Sequence, residues 1–265
     1  MSKTILLTGA TDGIGLETAK QLVEQGHNLL IHGRSQTKLD AAKSTLKAIN
    51  STISVEGYIA DLSDLAQVRQ LAQNIIQTHD HIDAVINNAG VYTTPVTTTE
   101  DGLDIRFVVN TIAPYVLTKN LMPLLNKTSR VVNLSSAAQA PVSIEALKGN
   151  SSLSDSLAYA QSKLALTMWS RQLGLELKDT GPLVISVNPA SMLGSKMVKD
   201  AYGVNGGDLS IGADILTRLA LSDEFNECYG EYFDNDIGRL SSPHPDALNQ
   251  AKVHTVIETI ESLIS

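Results

Sequence analysis

Tyr159 and Lys163 stand four residues apart in the run Tyr159-Ala160-Gln161-Ser162-Lys163, and in a helix that spacing puts both side chains on one face. A free phenol titrates at about 10 and exchanges protons poorly at neutral pH. An ammonium beside it favours the phenolate and lowers that value, so a tyrosine placed this way can trade a proton with a substrate oxygen. Taken alone, the pair also fits an ordinary helix surface. Ser135-Ser136 closes the run that begins at Arg130. A hydroxyl at the carboxyl end of a strand can hydrogen-bond the same oxygen, although a helix cap or ST-turn explains it equally well in isolation. Asn110 is followed four residues later by Pro114. Proline has no N–H, so the Asn110 carbonyl is expected to lose its helical partner and be free to hold a water, or the helix simply kinks there.

A second constellation is built for phosphate. Thr8-Gly9-Ala10-Thr11-Asp12-Gly13-Ile14-Gly15 carries its glycines at the spacing G-x-x-x-G-x-G. Glycine permits positive φ and close backbone approach, and a helix N-terminus offers free N–H groups and a positive dipole to a pyrophosphate. A tight strand-to-helix turn is the plainer alternative. Further on, Ile31-His32-Gly33-Arg34-Ser35 ends a strand where a carboxylate would bind a ribose 2′-hydroxyl. There is no acid in that stretch. Arg34 suits a 2′-phosphate instead, unless it is only a solvated strand-end arginine. Asp61-Leu62 is a candidate for the adenine edge, or a cap of the next helix.

These residues need a scaffold, and the chain alternates strand and helix nearly throughout. Strands are predicted at Thr4–Thr8, Leu29–His32, Val55–Ile59, Ala84–Asn87, Arg130–Ser135, Leu183–Asn188 and, less plainly, Glu231–Phe233. Helices are expected at about 14–25, 35–48, 65–77, 103–125, 158–177, 211–221 and 246–263, with residues 191–210 as a loop-rich lid. In the first helix Leu16, Ala19, Leu22 and Val23 share one face, and Gly26 ends it. Strands alternating with helices mean a parallel sheet covered on both faces. No linker or internal repeat divides residues 1–265, so one domain is expected.

Composition narrows the function classes. The net charge of −8 argues against wide contact with nucleic acid or anionic membranes. Cys228 is the single cysteine, so a disulfide framework and a cysteine-rich metal site are excluded; it reads as a quiet thiol, and no metal is expected. Only Ile5 to Leu7 are apolar before the glycine turn. That is too short for a signal peptide, no stretch approaches a membrane span, and a cytoplasmic chain is expected.

Together these pieces resemble the short-chain dehydrogenase/reductase family, from about Lys3 to Asn188. The resemblance rests on Thr8-Gly9-x-x-x-Gly13-x-Gly15, Asp61-Leu62, Asn87-Asn88-Ala89-Gly90, Asn110, Ser136 and Tyr159-x-x-x-Lys163. It implies an α/β fold, a doubly wound Rossmann-type parallel sheet of about seven strands, and hydride exchange between NADP(H) and a small carbonyl or alcohol. Tyr159 would be the acid in reduction and the base in oxidation, and Lys163 would hold the nicotinamide ribose and lower the Tyr159 pKa. Ser136 would orient the carbonyl, in preference to Ser135, and Asn110 would hold a water linking Lys163 to solvent. Gly9, Thr11, Asp12, Gly13, Ile14, Gly15, Arg34, Asp61, Leu62, Asn87, Ala89, Gly90, Tyr159, Lys163 and Pro189 would contact the cofactor, with NADP(H) preferred over NAD(H) because of Arg34.

The long interval from Ser136 to Tyr159 is similar to that of the retinol-dehydrogenase-like and WW-domain-oxidoreductase-like branch. No WW domain or membrane anchor is expected from residues 1–265, so a membrane retinoid role is not implied. Relatives of this family often dimerise or tetramerise through the helices corresponding to 103–125 and 158–177, so the resemblance allows a homodimer or homotetramer, while the same helices would also bury their apolar residues on the sheet of a monomer. One departure stands out: the family's Pro-Gly after the sixth strand is Pro189-Ala190 here, and the following loop, with Ser195, is expected to take its own path. The alternative function is a sensor that binds NADP(H) without chemistry; such relatives usually lose the tyrosine or the lysine.

Overall fold

The computed structural model describes residues 2–265. Eight strands form one sheet in the order β3-β2-β1-β4-β5-β6-β7-β8. They are β1 (Thr4–Leu7), β2 (Asn28–Gly33), β3 (Val55–Ile59), β4 (Ala84–Asn87), β5 (Arg130–Leu134), β6 (Leu183–Asn188), β7 (Tyr232–Asp234) and β8 (Arg239–Ser241). The first seven run parallel, and β8 returns antiparallel to β7.

The sheet of about seven strands is thus found as expected, and an antiparallel eighth strand is added to it. β8 escapes sequence reading because it is three residues long, largely exposed and without an apolar run; pairing with β7 alone makes it a strand.

Successive strand side chains point to opposite faces, and both faces are buried. Leu6, Leu30, Val85, Val131 and Val184 belong to one core with α3 (Leu65–Ile76), α5 (Ala113–Leu121), α7 (Asp155–Leu177) and α10 (Gln250–Ile264). Ile5, Leu7, Leu29, Ile31, Ile86, Val132 and Ile185 belong to the other with α1 (Gly13–Glu24), α2 (Gln36–Ile49) and α9 (Leu209–Leu221). Each such aliphatic side chain contributes about 1.5–3 kcal/mol on burial. The double burial is why the strands read as continuous apolar runs. Among the described residues no helix is long and apolar enough to cross a membrane.

The helix expected at 103–125 is broken. A single turn, α4 (Ile105–Phe107), runs into a π-helical turn at Val108–Ile112 and then α5. Pro114 sits in the first turn of α5, where its missing N–H costs nothing; the extra residue of the π turn brings it there. Asn110 lies inside that turn. α7 begins at Asp155, three residues before the expected Ala158. Ser154 caps it, and Asp155 in its first turn pairs with the buried Arg106, whose Nε also donates to Asp104 at 2.7 Å. A short helix α6 (Ile144–Leu147), unforeseen, lies in the interval after Ser136. The segment 191–210 holds more order than a loop: α8 (Lys196–Tyr202) and a bridge between Leu193 and Gly207.

The strand order reverses between β1 and β4. At that point the crossovers leave on opposite faces, and a crevice opens at the strands' carboxyl ends. Thr8 and Gly9 follow β1, and Asn88 to Gly90 follow β4. Both candidate constellations therefore converge on one edge.

Candidate active site

The glycine turn is compressed against the loop after β4. Gly9 and Gly13 have φ of +65° and +54°. A Cβ on Gly9 would lie 2.9 Å from the Ala89 Cα, and one on Gly15 would lie 2.2 Å from the Gly9 carbonyl oxygen. Gly15 thus lets α1 start directly under the turn. Asp12 caps α1 by accepting from the Gly13 amide at 2.8 Å. The Ile14 and Gly15 amides, which have no intrahelical acceptor in the first turn, find none elsewhere among the described residues and suit a phosphate oxygen. Thr11 packs on Gly33, where a Cβ would approach its methyl to 2.7 Å. Arg34 follows β2, exposed and without an ion pair among the described residues, while nearby Lys38 reaches Asp12 at 3.4 Å.

Asp61 does not cap the following helix. Asp64 does, accepting from Ala66 and Gln67, while Asp61 Oδ1 accepts from the Ser63 amide at 2.9 Å and its hydroxyl at 2.7 Å. The Leu62 side chain is buried in the core, which leaves its backbone for any ligand. Asn87 also turns inward, donating to Asn133 at 2.8 Å and to Thr118 at 3.1 Å.

Asn110 and Lys163 meet beside Gly90, with Tyr159 next to Lys163 and Ser136 near Tyr159. A Cβ on Gly90 would stand 3.3 Å from Asn110 Oδ1 and 3.5 Å from Lys163 Nζ. Lys163 Nζ lies 5.6 Å from the Tyr159 ring centroid and donates to the Leu134 carbonyl at 2.7 Å. Ser136 Oγ accepts from the Ala138 amide at 3.1 Å, the ST-turn that its sequence position also allowed, and lies close enough to the Tyr159 hydroxyl to pull its pKa down. Ser135 is turned away: its buried hydroxyl meets Thr167 at 2.6 Å and the Lys163 carbonyl at 3.2 Å. Asn110 is fully engaged, donating to the Val91 carbonyl at 2.9 Å and Ser162 Oγ at 3.0 Å and accepting from the Val91 amide at 2.8 Å.

The short chain dehydrogenase profile matches residues 3–203. This chain belongs to the short chain dehydrogenase family. Human retinol dehydrogenase 13 is 30% identical over 266 residues, covering 92% of this chain and 79% of the relative. A solved protein from Mycobacterium paratuberculosis is 26% identical with a TM-score of 0.80, covering 98% of this chain and 92% of its own. A short chain dehydrogenase from Shigella flexneri, solved in complex with NADP, is 26% identical with a TM-score of 0.70, covering 88% and 97%.

In this short chain dehydrogenase the candidate pair Tyr159 and Lys163 is tuned otherwise than the spacing predicts. Burial pushes the Tyr159 hydroxyl above its ordinary value, against a smaller opposing pull from the Ser136 hydrogen bond. Burial also pushes the Lys163 ammonium down to about 7. The expected depression of the tyrosine is absent because desolvation, the largest influence, outweighs the pull from Ser136, and Tyr202 adds to the rise.

Three side chains that sequence reading passed over complete the site. His32 is buried; its Nδ1 accepts from the Gly9 amide at 3.3 Å and its Nε2 faces the Ala60 carbonyl at 3.0 Å. Asn88 donates to the Thr8 and Gly9 carbonyls at 2.8 and 3.1 Å. Its place inside Asn87-Asn88-Ala89-Gly90 was the available signal. Tyr92 stacks on Tyr159 with ring centroids 4.8 Å apart, and on Tyr202 of α8 at 5.8 Å. α8 thereby lies over the crevice, with its cap Ser195 near Gly13 and Met197 near Gly90.

Proposed function

We propose that this short chain dehydrogenase is an NADP(H)-dependent oxidoreductase that interconverts a small carbonyl compound and its alcohol. The observation that carries the reading is the chain of neighbours from Asn110 and Lys163 at Gly90 through Tyr159 to Ser136, at the same crevice as the glycine turn. The residues present fit the cofactor. Two free amides at the start of α1 would face a pyrophosphate, Gly9 and Gly15 admit no side chain, and Arg34 has no ion pair among the described residues and would be free to meet a 2′-phosphate. Crystallographic NADP in the Shigella flexneri relative agrees with this preference. Thr11, Asp12 and Gly13 shape the turn, Asp61 and the Leu62 backbone would border the adenine, and Ala89, Gly90, Pro189 and the main chain of Asn87, whose side chain is turned inward, would wall the crevice.

A nicotinamide bound there would supply or accept the hydride. The chain supplies everything else. Ser136 Oγ and Tyr159 hydroxyl converge on the substrate oxygen; in reduction Tyr159 gives it a proton, and in oxidation takes one back. A hydroxyl held above its ordinary pKa is protonated throughout the neutral range, which suits the reductive direction. Lys163, when charged, stabilises the tyrosinate left after proton transfer. The Asn110 side chain is already satisfied, so its contribution to a water relay is its main-chain carbonyl, which Pro114 cannot serve as a donor. Residues 191–210 act as the lid over the substrate.

The test is binding of NADPH and NADH by nicotinamide fluorescence, in the wild type and Arg34→Ala, followed by a carbonyl screen with Tyr159→Phe as control. NADPH should bind about tenfold or more tighter than NADH, Arg34→Ala should erode that ratio, and Tyr159→Phe should bind cofactor but lose turnover. Equal affinity for both nucleotides overturns the cofactor reading; turnover by Tyr159→Phe overturns the proton-transfer role.

A further inference from the structure

The loop after β6 carries a strained residue where glycine would be at ease. Ala190 has a φ of +116°, a region that side chains with a Cβ rarely enter. Such a conformation persists only when its surroundings hold it. Here the holder is one turn, Asp234-Asn235-Asp236, between β7 and the antiparallel β8.

Its contacts take in both ends of the lid. On the entry side, Asp236 Oδ1 accepts from the Ser191 amide at 2.7 Å and Oδ2 from the Ser191 hydroxyl at 2.5 Å. The buried Asn188 side chain donates to Asp234 and Asp236, each at 2.9 Å. The Asn235 amide donates to the Asn188 carbonyl, and Asn235 Nδ2 to the Pro189 carbonyl, each at 3.0 Å. On the exit side, Asn235 Nδ2 also reaches the Ile211 carbonyl at 3.2 Å, just beyond residue 210. Residues 188, 189, 191 and 211 are thus all tied to the same turn, and Ala190 lies between them.

We propose that Asp236 and Asn235 are positioning residues, which hold the Pro189-Ala190-Ser191 loop and both hinges of the lid in the geometry that receives the cofactor. The inference rests on the proposed NADP(H) reading. It also gives the antiparallel β8 a purpose: the hairpin aims the turn back at the crevice. An anionic carboxylate that accepts both a main-chain and a side-chain donor of one residue fixes that residue's orientation more firmly than a neutral acceptor does.

The experiment compares wild type, Asp236→Ala, Ser191→Ala, Ala190→Gly and Ala190→Gly/Asp236→Ala in the full-length chain. It measures the Kd for NADPH by fluorescence and the rate of tryptic cleavage at Lys196 and Lys199, both exposed on α8. Asp236→Ala should weaken NADPH binding about tenfold, since small misplacements of positioning elements carry large penalties, and should speed cleavage of the lid. Ser191→Ala, which removes one hydroxyl donor and stands in should Asp236→Ala not fold, should move both readouts the same way by less. In the Ala190→Gly background the loop no longer needs forcing, so Asp236→Ala should cost distinctly less there. Unchanged Kd and cleavage in the Asp236 and Ser191 variants overturn the proposal, as does an equal loss in both backgrounds. Failure of the wild type to bind NADPH would instead overturn the cofactor reading.

Discussion

The Gly9 amide donates to His32 Nδ1 at 3.3 Å, so the phosphate turn is pinned to the strand beside it by a buried imidazole. The other ring nitrogen meets the Ala60 carbonyl at 3.0 Å, and the His32 carbonyl accepts from the Ala10 amide at 3.0 Å. With its proton on Nε2, one neutral ring joins the ends of β1, β2 and β3. Protonation would put a second N–H against the Gly9 amide and destroy the contact. Burial, outweighing the hydrogen bond to Ala60, holds the imidazole below its ordinary 6.5 and so keeps it neutral.

The folded-state pKa of His32 is therefore lower than the unfolded value, and the unfolded chain binds more protons below about 6.5. The stabilisation is complete above that pH and is lost as pH falls toward the folded pKa. His32→Leu should destabilise the protein by about 1–3 kcal/mol for each polar group left unpaired, and should flatten the decline in stability between pH 6.5 and 5. Urea titrations of both proteins across that range check this; an unchanged pH slope would count against the histidine.

Gly15→Ala should be among the most damaging single-methyl additions. The new Cβ would sit 2.2 Å from the Gly9 carbonyl oxygen and 2.4 Å from Asn88 Nδ2. One of these is backbone and the other belongs to a side chain that braces the same turn, so neither yields without moving the turn. Loss of NADPH binding together with a stability decrease of about 1–3 kcal/mol, the usual range for overpacking, is expected. Gly26→Ala makes a contrast, since nothing lies within 4 Å of its added Cβ; its φ of +82° leaves a backbone penalty alone, and NADPH binding should survive.

Much of this was legible beforehand for a physical reason. The central strands are buried on both faces and so carry unbroken apolar runs, and the glycine turn and the Tyr159–Lys163 spacing are local patterns. What stayed hidden depends on contacts distant in sequence. β8 exists only by pairing with β7, Arg106 anchors α7 from a helix far behind it, and His32 looks like a polar interruption until Gly9 and Ala60 are brought to it. The π turn at Asn110 was foreseen only as a disturbance by Pro114, since its form depends on packing. The Tyr159 pKa went the other way because spacing reveals a neighbour but not the desolvation around it.

Tyr202 should govern substrate retention more than cofactor affinity. Its ring lies 5.8 Å from Tyr92, the two hydroxyls are 3.5 Å apart, and Tyr92 in turn rests on Tyr159. An aromatic pair adds about 0.5–1.5 kcal/mol beyond its buried area. Tyr202→Ala should therefore raise the KM for the carbonyl substrate about two- to tenfold with kcat and NADPH affinity little altered. Steady-state kinetics with each substrate varied in turn separates these constants, and a change confined to NADPH would remove α8 from the substrate side.

Lys163 gives the pH signature that best distinguishes a buried proton-handling lysine from a surface one. Burial holds its folded-state pKa at about 7, whereas an unfolded lysine titrates at about 10.4. Between those values the unfolded chain binds the extra proton, so stability rises with pH across that window and the cost of a buried charge is fully present only below it. The slope from this one group approaches about 1.4 kcal/mol per pH unit. Lys163→Met should abolish that contribution, leaving the variant more stable than the wild type at pH 6.5 and relatively less so by pH 9. On the proposed mechanism catalysis should run the opposite way, because an ammonium stabilising the tyrosinate would be lost as pH rises through 7. Reductive kcat should fall above that point while the unfolding free energy climbs. Stability curves and kcat profiles measured on the same protein from pH 6 to 9 decide the matter, and a kcat that stays flat or rises across the window would mean that the charge on Lys163 is not what the chemistry uses.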